Sequence, residues 1–199
     1  LVQIVVMKLN KTKVNKLINS LKKMRISRKF AKIVYQLTKL IKDPREPVNY
    51  ILKGYRLNKR YAHIISYKDK IKIKDIVIDA GGNKNKAIII PVDVDNKVTK
   101  NKHLILFVYN PKNKQIRRID PSYISHTKIT ERKMHNAFKK YSKKFIYKGF
   151  HKKSKFLIHR GLCRFVTPLL LIYGHRLTRP IIKNEIIKHF VELINRFKK

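Results

Sequence analysis

The sequence has one cysteine, Cys163, no tryptophan, six glycines and only 11 acidic side chains among its 199 residues. A lone cysteine excludes an internal disulfide and fits a cytosolic, nuclear or intraviral setting better than secretion. It also excludes a cysteine-rich zinc site, and the eight histidines are scattered without metal-ligand spacing. His63, His126, His135, His151, His175 and His189 read as surface or packing residues. The scarcity of acids argues against a magnesium-dependent nuclease or integrase, which needs clustered carboxylates. Asp75, Asp79, Asp93 and Asp95 share the middle of the chain, but strand spacing does not gather them. Gly81, Gly82 and Asn83 read as a turn, because no Lys-Ser/Thr pair follows to complete a phosphate loop. No apolar run nears the ~18–20 residues of a membrane span. "LVQIVV" at the start is too short for a signal-peptide core. Neither a metal nor a small-molecule cofactor is expected, and no membrane association.

What the chain has in abundance is positive charge: 50 Lys and Arg, for a formal net charge of +39. Such a charge strains a compact fold by self-repulsion unless an anion lies close. Nucleic acid is the first candidate, since each neutralised phosphate releases counterions. An anionic membrane surface comes second. The richness in Lys, Asn and Ile also matches AT-rich coding, so part of the charge has a purely compositional reading. Apolar residues make up 43% of the chain, which excludes a disordered tail, and the length suits one domain with a real core.

Val14, Leu17, Ile18, Leu21 and Met24 follow the spacing of one helical face. Phe30, Ile33, Val34, Leu37, Leu40 and Ile41 repeat it after a cap at Ser27, and "DPREP" then stops the pattern. Residues 1–47 are thus expected as a basic helical part. "YAHIISY" (61–67), "IKIKDIVI" (71–78), "AIIIPVDV" (87–94) and "HLILFVY" (103–109) read as strands. A helical face with Met134, Ala137, Phe138 and Tyr141 follows, then strands around "FIYKGF" and "KFLIHR", and a C-terminal helix over 180–199.

Two stretches stand apart. "KHLILFVYNPKNKQIRRIDPS" (102–122) reads as a hairpin turning at Asn110 and Pro111, with His103 at its entrance and a rare acid, Asp120, at its exit. "CRFVTPLLLIYG" (163–174) has almost nothing polar from Phe165 to Tyr173 except Thr167, so it reads as a helix buried on all sides. Cys163 opens that helix, where the dipole and unpaired amides lower a thiol's pKa. The plainer reading of Cys163 is a small hydrophobe at the edge of a core.

A strand-borne His, an acid 17 residues on and a Cys heading a distant buried helix resemble the adenovirus-type processing proteases and the related ubiquitin-like-protein proteases. The resemblance covers roughly residues 85–175. It implies an α+β fold, a papain-like cysteine protease of the adenain type, with a central mostly antiparallel sheet and a catalytic core over 85–175 within one protease domain, 1–199. It implies Cys163 as nucleophile, His103 as general base and Asp120 as the acid that orients it. It further implies viral capsid or core precursors as substrates, cut beside small residues such as glycine, and DNA as an activator. With the AT-rich composition it points to a large DNA virus or virophage, a monomer, and a location in the virion or host-cell interior. This chain departs from the family at several positions. Arg164 replaces the usual glycine, which stands instead at Gly161, and Leu104 replaces the common aromatic after the His. The stretch "HKKSKFLIHRGLC" that ends at Cys163 contains no Gln to hold the oxyanion; Gln115 lies in the other hairpin, leaving the Cys163 amide, with His159 or Ser154 as candidates for a second donor.

Two alternatives remain open beside this reading. A non-enzymatic basic protein that coats or condenses nucleic acid would have no use for Cys163. A protease of ubiquitin-like conjugates shares the fold but fits the charge less well.

Overall fold

A computed structural model describes residues 11–40, 46–54, 60–61, 65–66, 88–96, 101–110, 112–121, 132, 136, 144–149 and 162–196. The expected strands at 71–78 and around "KFLIHR", the turn at Gly81–Asn83, and the helical face of Met134, Ala137, Phe138 and Tyr141 lie outside these residues, as do His63, His126, His135, His151 and the acids Asp75 and Asp79.

Among the described residues three helices come first: α1 (Lys11–Lys23), α2 (Arg28–Leu40) and α3 (Glu46–Gly54). The 3 and 4 spacing of apolar residues does what it predicts, burying Val14, Ile18 and Leu21 of α1 and Phe30, Val34 and Leu37 of α2. Ser27 caps α2, its hydroxyl accepting the N–H of Phe30 at 3.2 Å while its carbonyl accepts the N–H of Ala31. Leu40, assigned by spacing to the buried face, is 46% exposed at the last turn. Helix α3 was not anticipated from the prolines of "DPREP". Its signal was there: Pro47 sits in the first turn, where a missing N–H costs nothing, and Val48, Ile51 and Leu52 form one buried face.

The sheet follows with β1 (Arg60–Tyr61), β2 (Ile65–Ser66), β3 (Ile88–Asn96), β4 (Asn101–Asn110), β5 (Gln115–Asp120) and β6 (Lys144–Gly149). Its centre is antiparallel, β3 against β4 and β4 against β5, whereas β1 and β2 lie parallel to β3 and β6 parallel to β5. The strand expected at 61–67 is described as two pieces. Arg60 stands beside Ile88 but Ile65 beside Val92, so the register slips by one residue between them, across Pro91, which has no N–H for the ladder.

Helix α4 (Cys163–Tyr173), a short 3-10 turn (Gly174–Arg176) and α5 (Arg179–Arg196) complete the order. Gly174, at φ +55, is in the left-handed region and closes α4, its N–H bonding the carbonyl of Leu170. Helix α4 is buried from Phe165 to Leu170, as its all-apolar composition requires, and separates two clusters. On one side Phe165, Val166, Leu169 and Leu170 pack with α1, α2 and α5. On the other, Cys163 joins Val48 and Leu52 of α3 and Ile89, Leu104, Leu106 and Val108 of the sheet. Pro168 removes a hydrogen bond from the middle of α4, so packing rather than the ladder holds it. His189 packs against the rings of Tyr50, Phe165 and Phe190 and pairs with Glu46 at 2.9 Å, joining α5 to α3. His175 is exposed.

Truncating Leu169 to Ala should cost about 2–5 kcal/mol through the cavity left between the helices. Ser27→Ala should cost about 1 kcal/mol; urea denaturation measures both.

Candidate active site

The hairpin sets the geometry. Its turn is held by Asn110, whose side-chain oxygen accepts the N–H of Lys112, and by Asn113, which accepts the N–H of Gln115, while Lys114 takes φ +51. These bonds place Tyr109 opposite Ile116, Phe107 opposite Arg118 and Leu106 opposite Ile119. Period-2 alternation then puts His103, at the far end of β4, on the same sheet face as Arg118 and Asp120 at the end of β5. All three are buried.

His103 Nε2 donates to Asp120 Oδ1 at 2.8 Å. Nη2 of Arg118 lies 4.0 Å from the other carboxylate oxygen, so the one buried acid of the hairpin faces a cation on either side. The ring of His103 also hydrogen-bonds Cys163. With Nε2 committed to Asp120, Nδ1 is the nitrogen left for the sulfur.

Where β5 stops, α4 takes its place. Continuing the β4–β5 register would set Leu104 opposite Pro121, which has no N–H to donate. The free side of Leu104 is instead met by α4: the backbone N–H of Leu104 bonds the Cys163 sulfur, and the hydroxyl of Thr167 donates to the Leu104 carbonyl at 3.0 Å. At the head of α4 the carbonyl of Leu162 accepts from Phe165 and Val166, so the helix begins at Cys163 with its dipole directed at the thiol.

Electrostatics favour the ion pair. Burial pushes the His103 imidazolium down, but its hydrogen bonds to Asp120 and Cys163 and the charges of both outweigh this, raising it from 6.5 to about 10. Burial pushes the Cys163 thiol up; the hydrogen bond and charge of His103, the Leu104 N–H and the charge of Arg164 more than reverse this, and the thiol lies below its ordinary value. One proton thus rests on nitrogen rather than sulfur, a thiolate beside an imidazolium.

Of the residues singled out in the sequence, His103, Asp120 and Cys163 are brought together, although 60 residues separate His103 from Cys163. Gln115 is remote at the hairpin turn. Gly161, Ser154 and His159 lie outside the described residues. Arg118 and Thr167 were not anticipated as members of the site. Alternation from Asp120 back to Arg118 would have signalled the first, and the i, i+4 spacing from Cys163 the second. Among the described residues no group of His, Cys, Asp and Glu could hold a metal ion, and no helix is long and apolar enough to cross a membrane.

Replacing Asp120 with Asn removes the charge that holds the proton on His103. NMR titration of the imidazole should move down from about 10 in the native chain, because burial is then opposed by Cys163 alone.

No protein-family model and no curated protein matches the sequence. Solved structures of similar backbone course do exist. The SUMO protease Ulp1, solved with its catalytic cysteine oxidised to a sulfinic acid, is 10% identical over 96% of this chain and 97% of its own, with a TM-score of 0.49. AvrA, solved with IP6 and CoA, is 11% identical over 92% of this chain and 67% of its own, with a TM-score of 0.48. The Legionella pneumophila effector RavZ, in complex with human LC3B, is 16% identical over 61% of this chain, with a TM-score of 0.35, and the match spans about a third (34%) of that protein's length.

Proposed function

We propose that the chain is a cysteine endopeptidase in which Cys163 is the nucleophile, His103 the proton carrier and Asp120 the residue that holds His103. The carrying observation is the buried relay Asp120–His103–Cys163: a 2.8 Å carboxylate–imidazole bond whose other ring nitrogen serves a sulfur at a helix head. A structural imidazole needs one partner, whereas a base that activates a thiol needs an acceptor behind it and the thiol in front.

The reaction follows from these atoms. The Cys163 thiolate attacks the scissile carbonyl carbon and the oxygen takes the negative charge, facing the Cys163 backbone N–H and the positive end of α4. His103 gives its proton to the departing amine as the carbonyl re-forms, leaving a thioester. Neutral His103 then takes a proton from water, hydroxide adds to the thioester, and the acid leaves as the thiolate and imidazolium are restored. Asp120 keeps its charge throughout and offsets the imidazolium at each stage.

The proposed substrates are capsid or core precursor proteins of a virus, processed during particle maturation. What supports this is the sequence resemblance together with the net charge of +39, which suits an enzyme working against a packaged polyanion. Nucleic acid would be held through phosphate contacts, insensitive to sequence and weakened by salt, and would stimulate cleavage by keeping enzyme and substrate on one polymer. The outward faces of α1 and α2 carry exposed Lys13, Lys16, Lys22, Lys23, Lys29 and Lys32, a surface of the required sign.

The alkylation rate of Cys163 as a function of pH, with and without duplex DNA, tests the core of the reading. The reactive ion pair exists above the lowered pKa of the thiol and below the raised one of His103, so the rate should already be high below the pH at which an ordinary thiol ionises. His103→Ala should return the midpoint to that of an ordinary thiol, about 8.5, and lower any peptidase kcat by about 10²–10⁴-fold. A native thiol titrating near 8.5 and indifferent to both His103 and DNA would leave a basic nucleic-acid-binding protein that has no use for Cys163.

A further inference from the structure

Thr167 is wholly buried and stands one turn after Cys163, on the face of α4 that also carries Leu171 toward the sheet. A threonine inside a helix commonly returns its hydroxyl to the carbonyl four residues back. Here the hydroxyl crosses to β4 and donates to the Leu104 carbonyl at 3.0 Å. Leu104 directly follows His103, and its N–H is the backbone donor to the Cys163 sulfur. In a strand the N–H and C=O of one residue point to the same side. The two bonds therefore form a clamp: one residue of β4, gripped at its carbonyl by Thr167 and offering its amide to Cys163, with both helical partners one turn apart.

We infer that Thr167 is a positioning residue for the Cys163–His103 pair, its hydroxyl holding the backbone of Leu104 so that the Leu104 amide and the His103 ring both reach the sulfur. Pairing with β5 cannot do this job, because Pro121 ends the β4–β5 ladder at the level of Leu104, and β3 holds Leu104 only from the opposite edge of β4. The Thr167 hydroxyl is committed to the Leu104 carbonyl and acts through the strand. The inference rests on the cysteine-peptidase reading and adds to it a residue with no charge.

The test is the pH profile of Cys163 alkylation by iodoacetamide in the native chain, Thr167→Val, Thr167→Ala, Thr167→Ser and His103→Ala, each held at a temperature where circular dichroism shows it folded. The charged groups near the sulfur, His103 on β4, Arg118 and Asp120 on β5 and Arg164 on α4, are present in all three Thr167 variants, so a moved profile reports geometry. Val keeps the shape and volume without the hydroxyl, Ala removes both, and Ser keeps the hydroxyl alone. The expected result is a midpoint raised by about one pH unit in Val and Ala, a loss of about tenfold in rate on the acid side of the native midpoint, with Ser within about twofold of native. Val and Ala profiles superimposing on the native one, while His103→Ala is displaced, would overturn the inference and leave the peptidase reading intact. A native profile already that of an ordinary thiol, unchanged in His103→Ala, would overturn both.

Discussion

The 2.8 Å bond between His103 and Asp120, both withdrawn from water, is the constraint on which the site depends. An imidazolium buried without a partner would lose its proton, and a buried carboxylate without a cation would be costly to ionise. Paired, they form a stable dipole whose positive end is offered to the sulfur. Arg118, itself buried at the edge of the same carboxylate, makes the surroundings of Asp120 still more favourable to negative charge. In a chain with 50 basic residues, a single acid placed between two cations inside the sheet determines where the proton of Cys163 resides.

That electrostatic arrangement works only if strand and helix meet at a fixed separation. The sheet cannot fix it alone, since β5 ends at Asp120 and a proline follows. Helix α4 supplies the missing edge, meeting Leu104 with a hydroxyl and a sulfur where a strand would have offered an amide and a carbonyl. The same helix is buried on its other side against α1, α2 and α5. The N-terminal helices are therefore also the wall against which the helix headed by Cys163 is pressed.

The basic surface and the site obey different rules. Surface lysines lie in high dielectric and act collectively, through long-range attraction that salt screens. The three groups at the site lie in low dielectric and act individually, each bond changing the protonation of the next. A large positive charge outside and a shielded carboxylate inside are compatible because burial separates the two regimes.

Much of this was legible in the chain before folding. Apolar spacing marks α1 and α2, because a 3.6-residue turn repeats its buried face. The rarity of acids makes Asp120 conspicuous, and the all-apolar run after Cys163 marks a central helix. Helix α3 was hidden by its prolines, and the one-residue register slip between β1 and β2 by an apolar run that reads as continuous. Local pattern alone determined the helices, the hairpin, its register and the presence of His103 and Asp120 on one face. Only tertiary structure decided that Cys163 arrives beside His103 at the end of β4, that Arg118 backs the acid and that Thr167 reaches Leu104. Contacts across some 60 residues of chain depend on how a helix docks against a sheet edge, and docking is set by the fit of two buried surfaces, which no periodicity along the chain encodes.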